Sequence, residues 1–284
     1  MTACASEQDI PFLKQLWKER FADSEEYIAD YFNTLFDRIT VVVKRQAGVP
    51  ISMVSMLPVT LSTPQGSCRG HYIYAAATAK AQEGRGCMSE LLEEACRLAT
   101  ARGDCFSCLI PATPRLFSFY QKRLYQTISY KNMKFISFSE LSPVGSSLAP
   151  LSILDEEAFF TRRERFLQSR SAVLRFDCDC LSYWYRELQR SADVAVGIGG
   201  KDYAVCNAEE DLLTVKETSL LEETLYRCLP TLLERFGCRK AKLFFPSAEN
   251  SSDPAVIPYG MLRRLPAFPA SLNTTRPYMG LMMD

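Results

Sequence analysis

Residues 72–92 read YIYAAATAKAQEGRGCMSELL, and they constrain the fold more than any other stretch of the chain. An apolar strand enters a short glycine-bearing loop, and the loop runs directly into an amphipathic helix. Gly84 and Gly86 stand just before the first helical turn, where a missing Cβ lets backbone approach a ligand closely. Unpaired amides and the positive end of the helix dipole then point at the same spot. The order of elements therefore predicts a site for a phosphate-bearing ligand.

The helix is read from its spacing. Met88, Leu91, Leu92, Ala95, Leu98, Ala99 and Arg102 follow the three-four rhythm of one face. Glu90, Glu93, Glu94 and Arg97 take the other face, with Glu93 placed to pair with Arg97 one turn on. Gly103 follows as a stop. The string does not match GxxxxGKS/T, which argues against an NTPase phosphate loop. Gly84-x-Gly86-x-x-Ser89 superficially suggests a dinucleotide turn, but Asp104 precedes the next strand, CFSCLIPA, instead of ending it.

The same segment resembles the acetyl-CoA loop of the GNAT N-acetyltransferases. That loop has Arg or Gln, two variable residues, Gly, one variable residue, and Gly or Ala. Here the pattern falls on Glu83, Gly84, Arg85, Gly86, Cys87 and Met88. Gly86 matches, whereas Glu83 and Met88 depart from the family at the two ends. A second block, CFSCLIPATPRLFSFYQKRLY over 105–125, resembles the family's fifth strand and fourth helix. Tyr120 falls on the tyrosine of that helix, Leu124 replaces its glycine and Tyr125 its phenylalanine. The resemblance covers roughly residues 8–140.

Composition narrows the function classes. A length of 284 residues suits two domains, and an apolar content of 47% suits large cores. The formal net charge of +0, without a polybasic run, disfavours nucleic acid as a partner. No apolar run is long enough to span a membrane, and the start MTACASEQDIP has no signal-peptide pattern, so the expected location is cytoplasmic. The 11 cysteines are scattered, and a single histidine accompanies them, so no metal site is expected.

Along the chain, 8–22 and 24–37 read as helices with Ser24 as an N-cap. Residues 39–46, 51–61 and 71–79 read as strands, with 62–70 as a loop. Strand 105–111, helix 114–125 and strand 130–141 follow, and PVGSSLAP has linker composition. The second half repeats the order: helices 154–168 and 178–191, strands 192–199, 201–208 and 212–218, helix 221–237 and strand 240–246. The fold class is α/β (α+β), with tandem GNAT-like domains at 1–145 and 146–284, each a mixed, mostly antiparallel sheet flanked by helices. PYGMLRRLPAF and RPYMGLMMD resemble the closing strands of tandem GNAT proteins related to the enhanced-intracellular-survival acetyltransferases. The chain leaves no room for the third, sterol-carrier-like domain of those proteins.

The second domain reads as degenerate. No Gly-x-Gly separates strand 212–218 from the next helix. Ser219 and Glu222 suggest a capping box, and Glu217 adds negative charge where a diphosphate would lie. Gly197-x-Gly199-Gly200 reads as a hairpin turn.

The resemblance implies acetyl transfer from acetyl-CoA to an amine of a small molecule or peptide by direct attack. Residues 83–88 would hold the diphosphate, while Ala76, Ala77 and Thr78 would offer backbone groups to the pantetheine arm and the thioester. Tyr120 would protonate the departing thiolate. His71 and the terminal carboxylate of Asp284 are the candidate bases. Asp23, Glu25 and Glu26 are placed to attract a cationic amine, and Tyr72 and Tyr74 to line the acceptor side or pack in the core. The competing reading is a binding or regulatory protein that keeps the scaffold without catalysis, motivated by Glu83 and Met88.

Overall fold

The structure is a computed structural model and describes residues 1–141, 150–247, 254–272 and 276–282. The chain divides into two compact units. The first joins Met1–Ile128 with Leu174–Tyr183 and Gly260–Thr275, and the second joins Ser129–Val173, Trp184–Tyr259 and Arg276–Asp284.

In the first unit, β1 (Thr2–Cys4), β2 (Thr40–Gln46), β3 (Val49–Thr63), β4 (Gly66–Thr78) and β5 (Phe106–Leu109) lie side by side in that order. The first four are antiparallel, and β5 runs parallel to β4. Beyond β5 comes the last strand among the described residues, β13 (Val256–Arg264), whose Met261–Arg264 pairs antiparallel with Leu109–Phe106. The segment read as a loop at 62–70 is mostly strand. Ser62 faces Ser67 and Thr63 faces Gly66, which leaves only Pro64 and Gln65 to turn.

Helices α1 (Ile10–Phe21) and α2 (Glu25–Leu35) meet at a tight corner. Ala22 ends α1 at φ 59°, and the Ser24 hydroxyl accepts from the Tyr27 amide, as expected of an N-cap. Trp17 is the core of the corner: its ring lies 4.5 Å from that of Tyr31, and its Nε1 donates to Asp23 Oδ2 at 2.7 Å. Helix α3 (Cys87–Ala101) lays Leu91, Leu92, Ala95 and Ala99, all fully buried, onto the sheet. Burying each leucine contributes about 2 kcal/mol. Two side-chain expectations change here. Arg97 pairs with Glu94, and Glu93 reaches Arg263 at 2.6 Å. Helix α4 (Pro114–Gln121) follows β5.

In the second unit the order is β6 (Gln126–Ser137), β12 (Lys240–Ser247), β11 (Leu212–Thr218), β10 (Asp202–Glu209), β9 (Val194–Ile198) and β7 (Leu151–Ile153). Only β11 and β12 are parallel in this set. Leu174–Phe176 of β8 (Val173–Phe176) belongs to the first unit, where β8 pairs with β3 and Phe176 meets the Tyr72 ring edge-on at 5.6 Å. Helices α5 (Glu156–Gln168) and α7 (Glu222–Phe236), with the part of α6 (Cys178–Arg190) from Trp184 on, complete the set. Leu225, Leu229, Leu232 and Leu233 of α7 are fully buried against Val215 and Leu243. The strands of each unit are thus mixed, mostly antiparallel and flanked by helices, in agreement with the fold class read from the sequence.

Candidate active-site cleft

The cleft starts where β4 loses its partner. Parallel pairing with β5 runs from Gly70 and Phe106 to Tyr72 and Cys108, and β4 then continues to Thr78 while β5 stops at Leu109. Pairing with β3 slips at the same place. Ser55 faces Tyr74 and Met53 faces Ala77, so Ala75 and Ala76 share Val54 as a single partner. This is a β-bulge, and it holds Ala75 at φ 47°. Bulges re-aim backbone groups, and this one lies beside Ala76 and Thr78, which both line an open cleft of about 410 Å³.

The loop after β4 supplies the far wall. Gly84 and Gly86 take φ of 72° and 77°, and a Cβ built on either meets open space, so their backbone is clear for a ligand. Gly86 is the N-cap of α3 and provides no side-chain cap, which leaves the first-turn amides of the helix available. Glu83, Gly84, Gly86, Cys87 and Met88 line the cleft, whereas Arg85 is exposed outside it. Ala77 does not line it either. Its carbonyl accepts from Ser52 Oγ at 2.8 Å, and its side chain is buried. Met88 also packs against the apolar cluster around Leu91 and Leu92.

Tyr120 enters from α4. It is only 7% exposed yet lines the cleft. Burial pushes its phenol up to about 12, with the nearby Arg123 charge acting the other way. Arg123 lies over the Phe119 ring, 3.5 Å from its centroid, and donates through Nε to Ser89 Oγ at 3.0 Å. It thereby ties α4 to the first turn of α3. Leu124 takes the left-handed conformation at φ 66° where the family carries glycine. The Tyr125 amide donates to Tyr120 O and the Leu124 amide to Gln121 O, which is a Schellman stop with Leu124 at the glycine position.

The sequence missed Arg20, Phe21, Leu116, Phe119 and Arg123, which also line the cleft. Arg20 sits in the last turn of α1 and pairs with Glu83 at 2.5 Å. Only tertiary packing brings Arg20 and Phe21 to the loop, whereas Leu116, Phe119 and Arg123 lie in the same 105–125 block as Tyr120.

Other expected residues lie elsewhere. His71 is fully buried and outside the cleft. Its Nδ1 meets Asp104 Oδ2 at 3.3 Å, and Arg69 and Arg102 bind the same carboxylate. Burial drives the imidazole below its ordinary value, against the pull of Asp104, so it stays neutral. Asp104 would rise on burial alone, but hydrogen bonds from His71 and Arg102 bring it down to about 2. Asp284 lies outside the described residues. Of the three corner carboxylates, Asp23 is held by Trp17 and Glu25 by Lys18. Tyr72 is core, and Tyr74 shares a 2.9 Å hydroxyl contact with Tyr27. Among the described residues no cluster could hold a metal ion.

In the second unit the expected capping box does not form. α7 starts from Leu221, and the Ser219 hydroxyl instead accepts from the Tyr203 amide and bonds Asp202. Glu222 binds Lys134 and Tyr226. Glu217 is buried and answered by Arg163, the Tyr203 and Tyr278 hydroxyls and the Leu281 amide. Its charge is buried within the unit.

Comparison with known proteins agrees with this geometry. Residues 4–128 match the family model of the acetyltransferase (GNAT) domain. No curated protein matches the sequence. A GCN5-related N-acetyltransferase from Kribbella flavida superposes with a TM-score of 0.71 at 16% identity, over 94% of this chain and 72% of its own. Eis1 from Mycobacterium abscessus gives 0.66 at 12% identity, over 93% and 73%. A tandem GNAT protein from the clavulanic acid biosynthesis pathway gives 0.51 at 11% identity, over 95% and 99%. Residues 4–128 therefore match the acetyltransferase (GNAT) domain, and the chain as a whole has the fold of GNAT proteins, tandem members among them.

Proposed function

We propose that the chain transfers an acetyl group from acetyl-CoA to a primary amine of a small molecule or peptide by direct attack. One observation carries this reading: the free edge of β4, the uncapped start of α3 and Tyr120 all line the same cleft. The family match over residues 4–128 supports it.

In this reading the amides of residues 83–88 hold the diphosphate, and their open glycine backbone suits that task. Ala76 and Thr78 offer backbone groups to the pantetheine arm, whereas Ala77 is engaged by Ser52. An amide at the bulge polarises the thioester carbonyl, an effect worth about 3 kcal/mol per donor. The amine lone pair attacks that carbonyl, a C–N bond forms and the C–S bond breaks. Tyr120 gives its proton to the leaving sulfur, and the amine proton passes to solvent. A phenol at about 12 gives its proton uphill to a thiolate, whose conjugate thiol lies at ~8.5, so the hydroxyl donates to the sulfur as charge develops on it during departure.

Calorimetric titration with acetyl-CoA tests the reading, followed by thiol release with a panel of amines. Saturation at one site per chain with amine-dependent release supports it. Binding without turnover on any amine would favour the non-catalytic scaffold that Glu83 suggests, and absence of binding at millimolar ligand would remove the enzyme reading.

A further inference from the structure

The phosphate loop carries an acidic residue, Glu83, immediately before its first glycine. A carboxylate there repels a diphosphate, so what surrounds it decides whether the loop works. Arg20 reaches across from α1 and binds Glu83 at 2.5 Å, and both side chains line the cleft. The pair is accessible, with Arg20 30% and Glu83 51% exposed. Solvent-exposed pairs of this kind are weak. A diphosphate carries more charge and accepts several hydrogen bonds, so it is the stronger partner for a guanidinium.

A neighbouring contact keeps Arg20 in place whichever partner it holds. Glu19 accepts from the Lys80 backbone amide at 2.9 Å, which docks the end of α1 on the loop independently of Glu83. The negative end of the α1 dipole adds a reason for a cation in that last turn. On the other side of the loop Arg123 is committed to Ser89 and Phe119, so its charge is fixed while that of Arg20 is exchangeable.

We infer that Arg20 and Glu83 form an exchangeable latch on the cleft, in which Arg20 leaves Glu83 to hold the diphosphate of the incoming coenzyme. The inference rests on the acetyl-CoA reading above and assigns the missing cation of the loop to α1. Glu83 then acts as a placeholder that keeps Arg20 aimed at the loop before the ligand arrives. Ligands without a diphosphate gain nothing from the exchange.

The test compares acetyl-CoA with acetyl-pantetheine, which lacks the diphosphate, in equilibrium binding to the full chain. Arg20→Gln is expected to weaken acetyl-CoA about threefold to tenfold and leave acetyl-pantetheine unchanged. Glu83→Gln is expected to tighten acetyl-CoA, and Arg20→Gln to flatten its salt dependence. Equal shifts for both ligands, or an unchanged acetyl-CoA affinity in Arg20→Gln, would overturn the latch while leaving the cofactor reading intact. A wild-type protein that binds no acetyl-CoA would overturn both.

Discussion

Arg163 and Glu217 are joined twice inside the second unit, Nε to Oε1 at 2.7 Å and Nη2 to Oε2 at 3.2 Å. Both are buried, and the Tyr203 and Tyr278 hydroxyls and the Leu281 amide satisfy the rest of the carboxylate. Breaking such a pair strands a charge. Arg163→Met alone is expected to cost about 3–5 kcal/mol in urea unfolding. Replacing both partners, as in Arg163→Met with Glu217→Leu, should recover part of that loss. Burial alone would raise Glu217, but Arg163 and the surrounding donors hold it below the usual value. Its contribution is therefore complete above about pH 4.3 and is lost as the pH falls through the depressed folded value.

His71 gives a second pH signature. It is neutral in the folded chain because burial lowers its pKa, while the unfolded chain protonates it near pH ~6.5. The unfolded state then binds more protons, so acidification favours unfolding. Stability should fall by at most about 1.4 kcal/mol per pH unit below that value, and His71→Asn should lack this component. Melting temperatures of both proteins from neutral pH to about 5.5 decide the matter.

At Tyr120, Phe is expected to lower kcat about a hundredfold and to leave the affinity for acetyl-CoA unchanged. With the phenol at about 12, the wild-type rate should rise with pH as the amine deprotonates. It should show no alkaline decline below about pH 10. A decline centred lower would assign the proton to another group.

Leu124 is 69% exposed and strained at φ 66°, so its side chain contributes little against the conformational cost. Leu124→Gly should stabilise the protein by about 1 kcal/mol. A lower denaturation midpoint would show that Leu124 makes contacts that outweigh the strain.

The sequence revealed most of what is local. The apolar rhythm from Met88 to Ala99 became α3, Ser24 capped α2, and Gly199 turned the β9–β10 hairpin at φ 61°. Ser, Thr, Cys and Arg at 62–70 read as a loop by composition, yet most of them form the β3–β4 hairpin, because cross-strand pairing outweighs weak propensity. The Glu93–Arg97 pair failed because Arg263, distant in sequence, competes for Glu93. Ser219 failed as a cap because the Tyr203 amide and Asp202 engage its hydroxyl. At the cleft, the loop and Tyr120 were legible from their motifs. Arg20 was not, since nothing beside it in the chain marks the loop it reaches, and Arg123 was passed over although it shares the 105–125 block with Tyr120.

The pairing of β13 with β5 has a consequence for synthesis. Phe106–Leu109 is buried along its whole length, and one of its two edges is closed only by Met261–Arg264. A ribosome completes β5 well before it makes that partner. Throughout the interval the nascent sheet presents an open, apolar edge of the sort that recruits other chains. Phe106–Leu109 thus waits for Met261–Arg264 before its sheet is sealed. Aggregation of fragments ending near residue 145, and not loss of any single contact, is the expected mark of that dependence.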